Sequence, residues 1–212
     1  MPRARAPLAA GRLWLDFVNT DEAPRHAYAD ALRTFDGYLA WLEAAALLDA
    51  GRRSALQRRA QEQPASATAA LHEARRIRGA LRPLAEQGML ASDRVRQAAV
   101  MEINRVLGRS SGVQRVEHDA RDNSFRRAFL SSGDAFAALV IPMVESAADA
   151  LVRGELSRVR RCAAEPPCPR VFLDTSRNGR RRWCEMRSCG NRAKAARHRS
   201  GALVSRPKPT TP

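Results

Sequence analysis

All four cysteines of this 212-residue chain lie close together near its C-terminal end, as Cys162, Cys168, Cys184 and Cys189. They form two pairs, with five residues between the members of the first and four in the second, and 15 residues separate the pairs. A segment this short cannot bury enough surface to hold its own loops, so the cysteines must close them covalently or through a metal. Two disulfides would serve in an exported domain. The N-terminus MPRARAPLAAGRLWLDF is basic but has no apolar export core and reaches Asp16 early, so the expected location is cytoplasmic, where thiols stay reduced. Four thiolates around one structural Zn2+ are then the natural alternative, because a tetrahedral site takes four soft ligands at about 2.3 Å.

The residues around the cysteines suit such a module. Val171 to Asp174 reads as a strand, 175–179 as a turn rich in Ser, Asn and Gly, and Arg180 to Trp183 as a second strand entering Cys184. Gly190 permits an unusual backbone angle, Asn191 can cap, and residues 192–199 with their alanines form a helix readily. Phe172 and Trp183 are the expected miniature core, and the metal supplies much of the folding free energy.

Charge is distributed as unevenly as cysteine. The chain holds 37 Lys plus Arg against 22 Asp plus Glu, a formal net of +15. Residues 158–212 carry 15 of the cations and 3 acids, a net of +12, whereas residues 1–157 carry 22 cations and 19 acids, a net of +3. Zinc with four thiolates adds a charge of about −2, which leaves the module near +10. Such a surface is the electrostatic footprint of nucleic-acid binding, where cations displace condensed counterions. Arg177, Arg180, Arg181 and Arg182 fall in the hairpin, and Arg187, Arg192, Lys194, Arg197 and Arg199 in the last loop and helix. The helix is basic nearly all round, which favours contact with phosphates over one base-reading face. Arg192 and Asp174 can each serve structure instead, Asp174 by pairing with an arginine of the opposite strand and not by touching DNA. DNA is the expected partner ahead of RNA, with a protein- or RNA-interaction module as the alternative. A shell of four thiolates leaves no position for water, so an enzyme is not expected.

The body, residues 1–157, reads as mainly helical. RLWLDFVNT at 12–20 suits a short buried strand or an initial helical turn. Apolar residues then recur at helical steps from Phe35, capped by Thr34, with further helices at 52–62, 66–87 and 93–107. The apolar face of the last is read as Val95, Val100, Ile103, Val106 and Leu107. Pro83 should kink or divide the third of these helices, and Pro142 a later one that runs to Arg153. Two small strands are predicted within 113–131, around a polar loop at Asp119 to Asn123. The fold class is therefore α+β, mainly α: a helical N-terminal domain with a small β element, then at 158–200 a four-Cys finger built from a β-hairpin and a helix in treble-clef-like fashion. Residues 201–212, rich in proline and polar groups, are expected to be disordered. No apolar run approaches the roughly 18 residues of a membrane span.

The body carries no phosphate loop, nucleophile elbow or paired histidines, and His26, His72 and His118 stand apart from one another. Asp16, Asn19 and Thr20 are the compact polar group beside apolar residues. They are candidates for a small-molecule effector pocket, with capping and turn formation as the plainer account.

Cys184-Glu185-Met186, then Cys189-Gly190-Asn191-Arg192, preceded by FLDTSRN and RRRWC, closely resembles the CGNR zinc finger. LDFVNT at 15–20, the helix with Trp41-Leu42 and ARRIRGAL at 74–81 resemble the ABATE domain that precedes that finger. The resemblance implies a bacterial, zinc-containing, stress-linked transcription regulator, with a homodimer as one possible assembly. The family spaces its first cysteine pair by four residues, and five stand here.

Overall fold

The computed structural model describes residues 10–21, 30–109, 112–119, 124–132, 134–165 and 167–196. The expected contacts at Arg197 and Arg199 and the expected disorder of 201–212 lie outside these residues.

The chain enters the fold through α1 (Leu13–Val18), with Trp14, Leu15, Phe17 and Val18 all buried, followed by a 3-10 turn at Asn19–Asp21. Of the two readings open for this stretch, the helical one holds. Its alternation is poor because the short helix is covered on nearly every side, by α4, α6 and β4, defined below. Helix α2 (Phe35–Ala44) starts where Thr34 accepts a hydrogen bond from the Gly37 N–H, as expected of its cap. Helix α3 (Ala50–Glu62) is capped in the same way by Asp49.

Helix α4 (Pro64–Gln87) is the central element. Ala67, Ala70, Leu71, Ala74, Ile77, Leu81 and Leu84 recur at steps of three and four and are buried, each large one contributing about 1.5–3 kcal/mol relative to exposure. The predicted division at Pro83 does not occur. Only the final turn lies beyond Pro83, and the burial of Leu84 and Ala85 in that turn offsets one lost backbone hydrogen bond. Helix α5 (Asp93–Arg109) packs on α4 through Ala99, Ile103 and Val106, while Val100 and Leu107, expected on its apolar face, are exposed. Ion pairs from Glu73 to Arg105 and Arg109, and from Arg76 to Glu102, reinforce this contact.

Strands β1 (Gly112–Asp119) and β2 (Ser124–Ser131) form the expected antiparallel hairpin. Helix α6 (Ile141–Val152) follows a 3-10 turn at Ala137–Val140. Pro142 falls in its first turn, so it opens the helix where no N–H is needed and does not kink it.

Strands β3 (Val159–Arg161) and β4 (Val171–Leu173) form a second antiparallel pair. This corrects the predicted hairpin between 171–174 and 180–183. The partner of β4 comes from ahead of Cys162, and the 180–183 segment is joined through the Ala163 N–H, which donates to the Arg182 carbonyl, and the Arg181 N–H, which donates to the Asp174 carboxylate. One apolar core runs from α1 and α4 through Val159, Val171, Phe172 and Leu173 to Cys184 and Cys189.

Candidate metal centre

The four sulfurs converge, all within 4.8 Å of one another. Cys168 and Cys184 Sγ are 3.9 Å apart and Cys184 and Cys189 Sγ 3.6 Å. These are far beyond a disulfide bond, and all four thiols are free. Tetrahedral ligands at about 2.3 Å from zinc have mutual separations of about 3.8 Å, so the cluster has the dimensions of a zinc tetrathiolate.

Local structure delivers each ligand. Cys162 follows β3 directly, its N–H donating to the Arg170 carbonyl across the loop, and Cys168 precedes β4. Cys184 ends the extended 180–183 segment, and a π-helical turn at Met186–Gly190, continued as helix over residues 191–196, presents Cys189. The Cys184 N–H donates to Cys162 Sγ at 3.5 Å, and the amides of Ala164 and Arg170 serve Cys162 and Cys168. Hydrogen bonding from Cys184 carries the Cys162 thiol down to about 5 despite burial, whereas burial and neighbouring thiolates push Cys168 up to about 11. The Cys184 thiol is raised, first by its hydrogen bond to Cys162 and then by burial. A divalent cation removes that mutual repulsion, because it binds thiolates.

The residues after Cys189 each have a distinct task. Gly190 does not adopt the unusual backbone angle expected of it; it is absent from the left-handed region that Gly11, Gly88, Gly154 and Gly179 occupy. Its lack of a side chain matters for space, since a Cβ there would collide with the Met186 sulfur and approach Trp183 at 3.5 Å. Asn191 donates through Nδ2 to the Arg187 carbonyl at 3.0 Å. Arg192 donates to Cys189 Sγ at 3.2 Å.

Residues 158–201 match the family model of the CGNR zinc finger, and residues 11–155 match the model named ABATE, described as "Putative stress-induced transcription regulator". The chain belongs to the ABATE family. No curated protein matches it.

The cations of the CGNR finger divide into two groups. Arg181 is committed to structure: its guanidinium lies 4.7 Å from the Phe172 ring centre and donates to the carbonyls of Trp183 and Cys184. Arg192 is engaged with Cys189. Arg177, Arg180, Arg182, Arg187 and Lys194 are exposed, with Arg182 stacked beside Trp183. Asp174 is fully buried; it accepts from the Ser176 N–H and hydroxyl at 2.9 and 2.5 Å and from the Arg181 N–H at 3.0 Å, and the Arg158 guanidinium attracts it. Burial raises its carboxyl, but these hydrogen bonds outweigh burial and hold it below the ordinary range. Phe172 is buried as expected, while Trp183 is only partly covered.

In the ABATE body, Asp16, Asn19 and Thr20 each have hydrogen-bond partners within the chain. Asp16 accepts from the Ala10 N–H at 3.1 Å, and Thr20 donates to the Phe17 carbonyl and accepts from Arg78. Asn19 reaches the finger: its Nδ2 donates to the Val171 carbonyl at 2.9 Å and its Oδ1 accepts the Val171 N–H at 3.0 Å. A groove of about 660 Å3 lies elsewhere, between the start of α2, α3 and the start of α4, lined by Thr34, Phe35, Arg58, Pro64 and Leu71 among others.

Sequence reasoning did not single out Arg82. Its guanidinium donates to the Val18 and Pro169 carbonyls and to Asp21 and Glu86, so it fastens α4 to the loop carrying Cys168. The available signal was the spacing of Arg75, Arg78 and Arg82, which places three arginines along one face of α4. Arg75 holds the Leu32 and Arg33 carbonyls, and Arg78 holds Asp30.

Proposed function

We propose that this ABATE protein is a DNA-binding transcription regulator in which the zinc-loaded finger grips phosphates and the helical body holds the finger in place. One contrast supports this reading. Seven arginines of the body, Arg12, Arg53, Arg76, Arg78, Arg82, Arg105 and Arg109, are neutralised locally in ion pairs with Asp or Glu. Among the described residues, Arg177, Arg180, Arg182, Arg187 and Lys194 of the finger form no ion pair with a carboxylate. Arg177, Arg180, Arg187 and Lys194 are exposed cations on a module whose buried carboxylate, Asp174, is already occupied by backbone and hydroxyl donors. Exposed, unneutralised arginines are suited to displacing counterions from a polyanion. With four thiolates filling the tetrahedral shell, zinc acts here as a structural ion and leaves no position for a catalytic water.

The test uses the full-length, zinc-loaded protein, because the finger shares its core with the body. Fluorescence anisotropy with duplex DNA should give an affinity that falls steeply with salt. Joint replacement of Arg177, Arg180, Arg187 and Lys194 by glutamine should lower the log-log salt slope by about 0.9 for each phosphate contact removed. An affinity unchanged by that substitution would overturn the reading. Preference for RNA in competition would reassign the partner.

A further inference from the structure

We propose that Arg192 is the fixed counter-ion of the zinc tetrathiolate and the guard of Cys189, and that it is not a contact to nucleic acid. Arg192 stands three residues after Cys189 in the helical segment that carries both, so the two side chains share a face. Its guanidinium donates to Cys189 Sγ at 3.2 Å, and the residue is half-buried, unlike the exposed Arg187 and Lys194 on either side. The other donors identified at the sulfurs of Cys162 and Cys168 are neutral backbone amides, from Cys184, Ala164 and Arg170. Cys189 thus receives a charged donor beside a centre that carries a net charge of about −2 with zinc bound. A charge-assisted hydrogen bond withdraws electron density from the thiolate where it is strongest, and partners of this kind set ligand orientation and metal retention. The planar fork of arginine also fixes the direction of the donor, which a lysine ammonium does not.

The inference rests on the zinc site and is independent of DNA binding. In full-length Arg192→Met, transfer of zinc to a chromophoric chelator should be about 10- to 100-fold more favourable than in the parent. Iodoacetamide labelling of the zinc-loaded protein, mapped by mass spectrometry, should move to Cys189 ahead of the other three cysteines. Arg192→Lys, which keeps the charge on a long side chain, should fall between the parent and Arg192→Met in both measurements and serves if the methionine variant folds poorly. Zinc affinity and labelling order unchanged in both variants, with a salt slope for DNA reduced by about one, would overturn the proposal and return Arg192 to the nucleic-acid surface.

Discussion

Replacing Asn19 by alanine should loosen the finger from the body and weaken its hold on zinc in the same step. The Asn19 carboxamide gives the outer edge of β4 both a donor and an acceptor, at 2.9 and 3.0 Å, much as a peptide group of a third strand would. The edge continues at Leu173, whose N–H donates to the Ala10 carbonyl at 2.8 Å. Asn19 and Val171 are buried, so truncation strands the Val171 N–H and carbonyl away from water. Each unmet buried group costs about 1–3 kcal/mol, so the two set the expected loss at about 2–6 kcal/mol. With a urea slope of about 2 kcal/mol/M, the unfolding midpoint should fall by about 1–3 M. Tryptophan fluorescence, from Trp14 and Trp41 in the body and Trp183 in the finger, follows unfolding while a chelating dye follows zinc. Asn19→Asp keeps the acceptor but loses the donor and should also be destabilised. A loss below about 0.5 kcal/mol in Asn19→Ala, the range of ordinary surface substitutions, would refute the clamp. Destabilisation with zinc retention unchanged would show that the contact serves the body alone.

Cys184→Ser removes a buried ligand and should abolish stoichiometric zinc, as read by metal analysis, together with DNA binding. Chelation of zinc from the native protein should leave most of the far-ultraviolet helical signal, because α2, α3, α4 and α5 lie outside the finger. Gly37→Ala should destabilise by about 1–3 kcal/mol in thermal unfolding despite the better helix propensity of alanine, since the added Cβ would stand 2.6 Å from the Ala31 carbonyl oxygen. Acid should weaken the body through Asp30 and Glu155, whose carboxyls are held low first by hydrogen bonds from Arg78 and Arg12. A depressed native value means that the stabilisation is complete above the ordinary values of 3.8 and 4.5 and is lost as pH falls through the lower native ones. Denaturation midpoints measured from neutrality downward should therefore drop less steeply below about pH 4 in Asp30→Asn than in the parent.

Where a local pattern dictates structure, the sequence was legible. Thr34 capped its helix, the apolar steps of α4 marked its buried face, and β1 paired with β2, because each depends on residues close along the chain. The cysteines were legible for a chemical reason: two pairs of thiols in a small segment have few uses, and spacing alone brings each pair together. Proline divides no helix at Pro83 and opens one at Pro142, since its effect depends on where a helix begins and ends, and those limits were set by packing. The charge of the tail was correctly located, but not the work of each arginine. Arg181 looks no different from Arg180 along the chain, and only the folded finger turns it onto Phe172 and brings Arg192 to the sulfur of Cys189.

The long-range pairings were beyond any local pattern. Nothing near Val171 indicates that its strand partner precedes Cys162, or that its other edge is met by an asparagine 152 residues away. Such bonds follow from the requirement that every buried backbone group find a partner, which can be met only once distant segments are packed. The composition and cysteine spacing specify a zinc module beside a helical body. Tertiary packing joins the two through Asn19, Ala10 and Arg82, whose partners are brought within reach by burial and not by proximity in the chain.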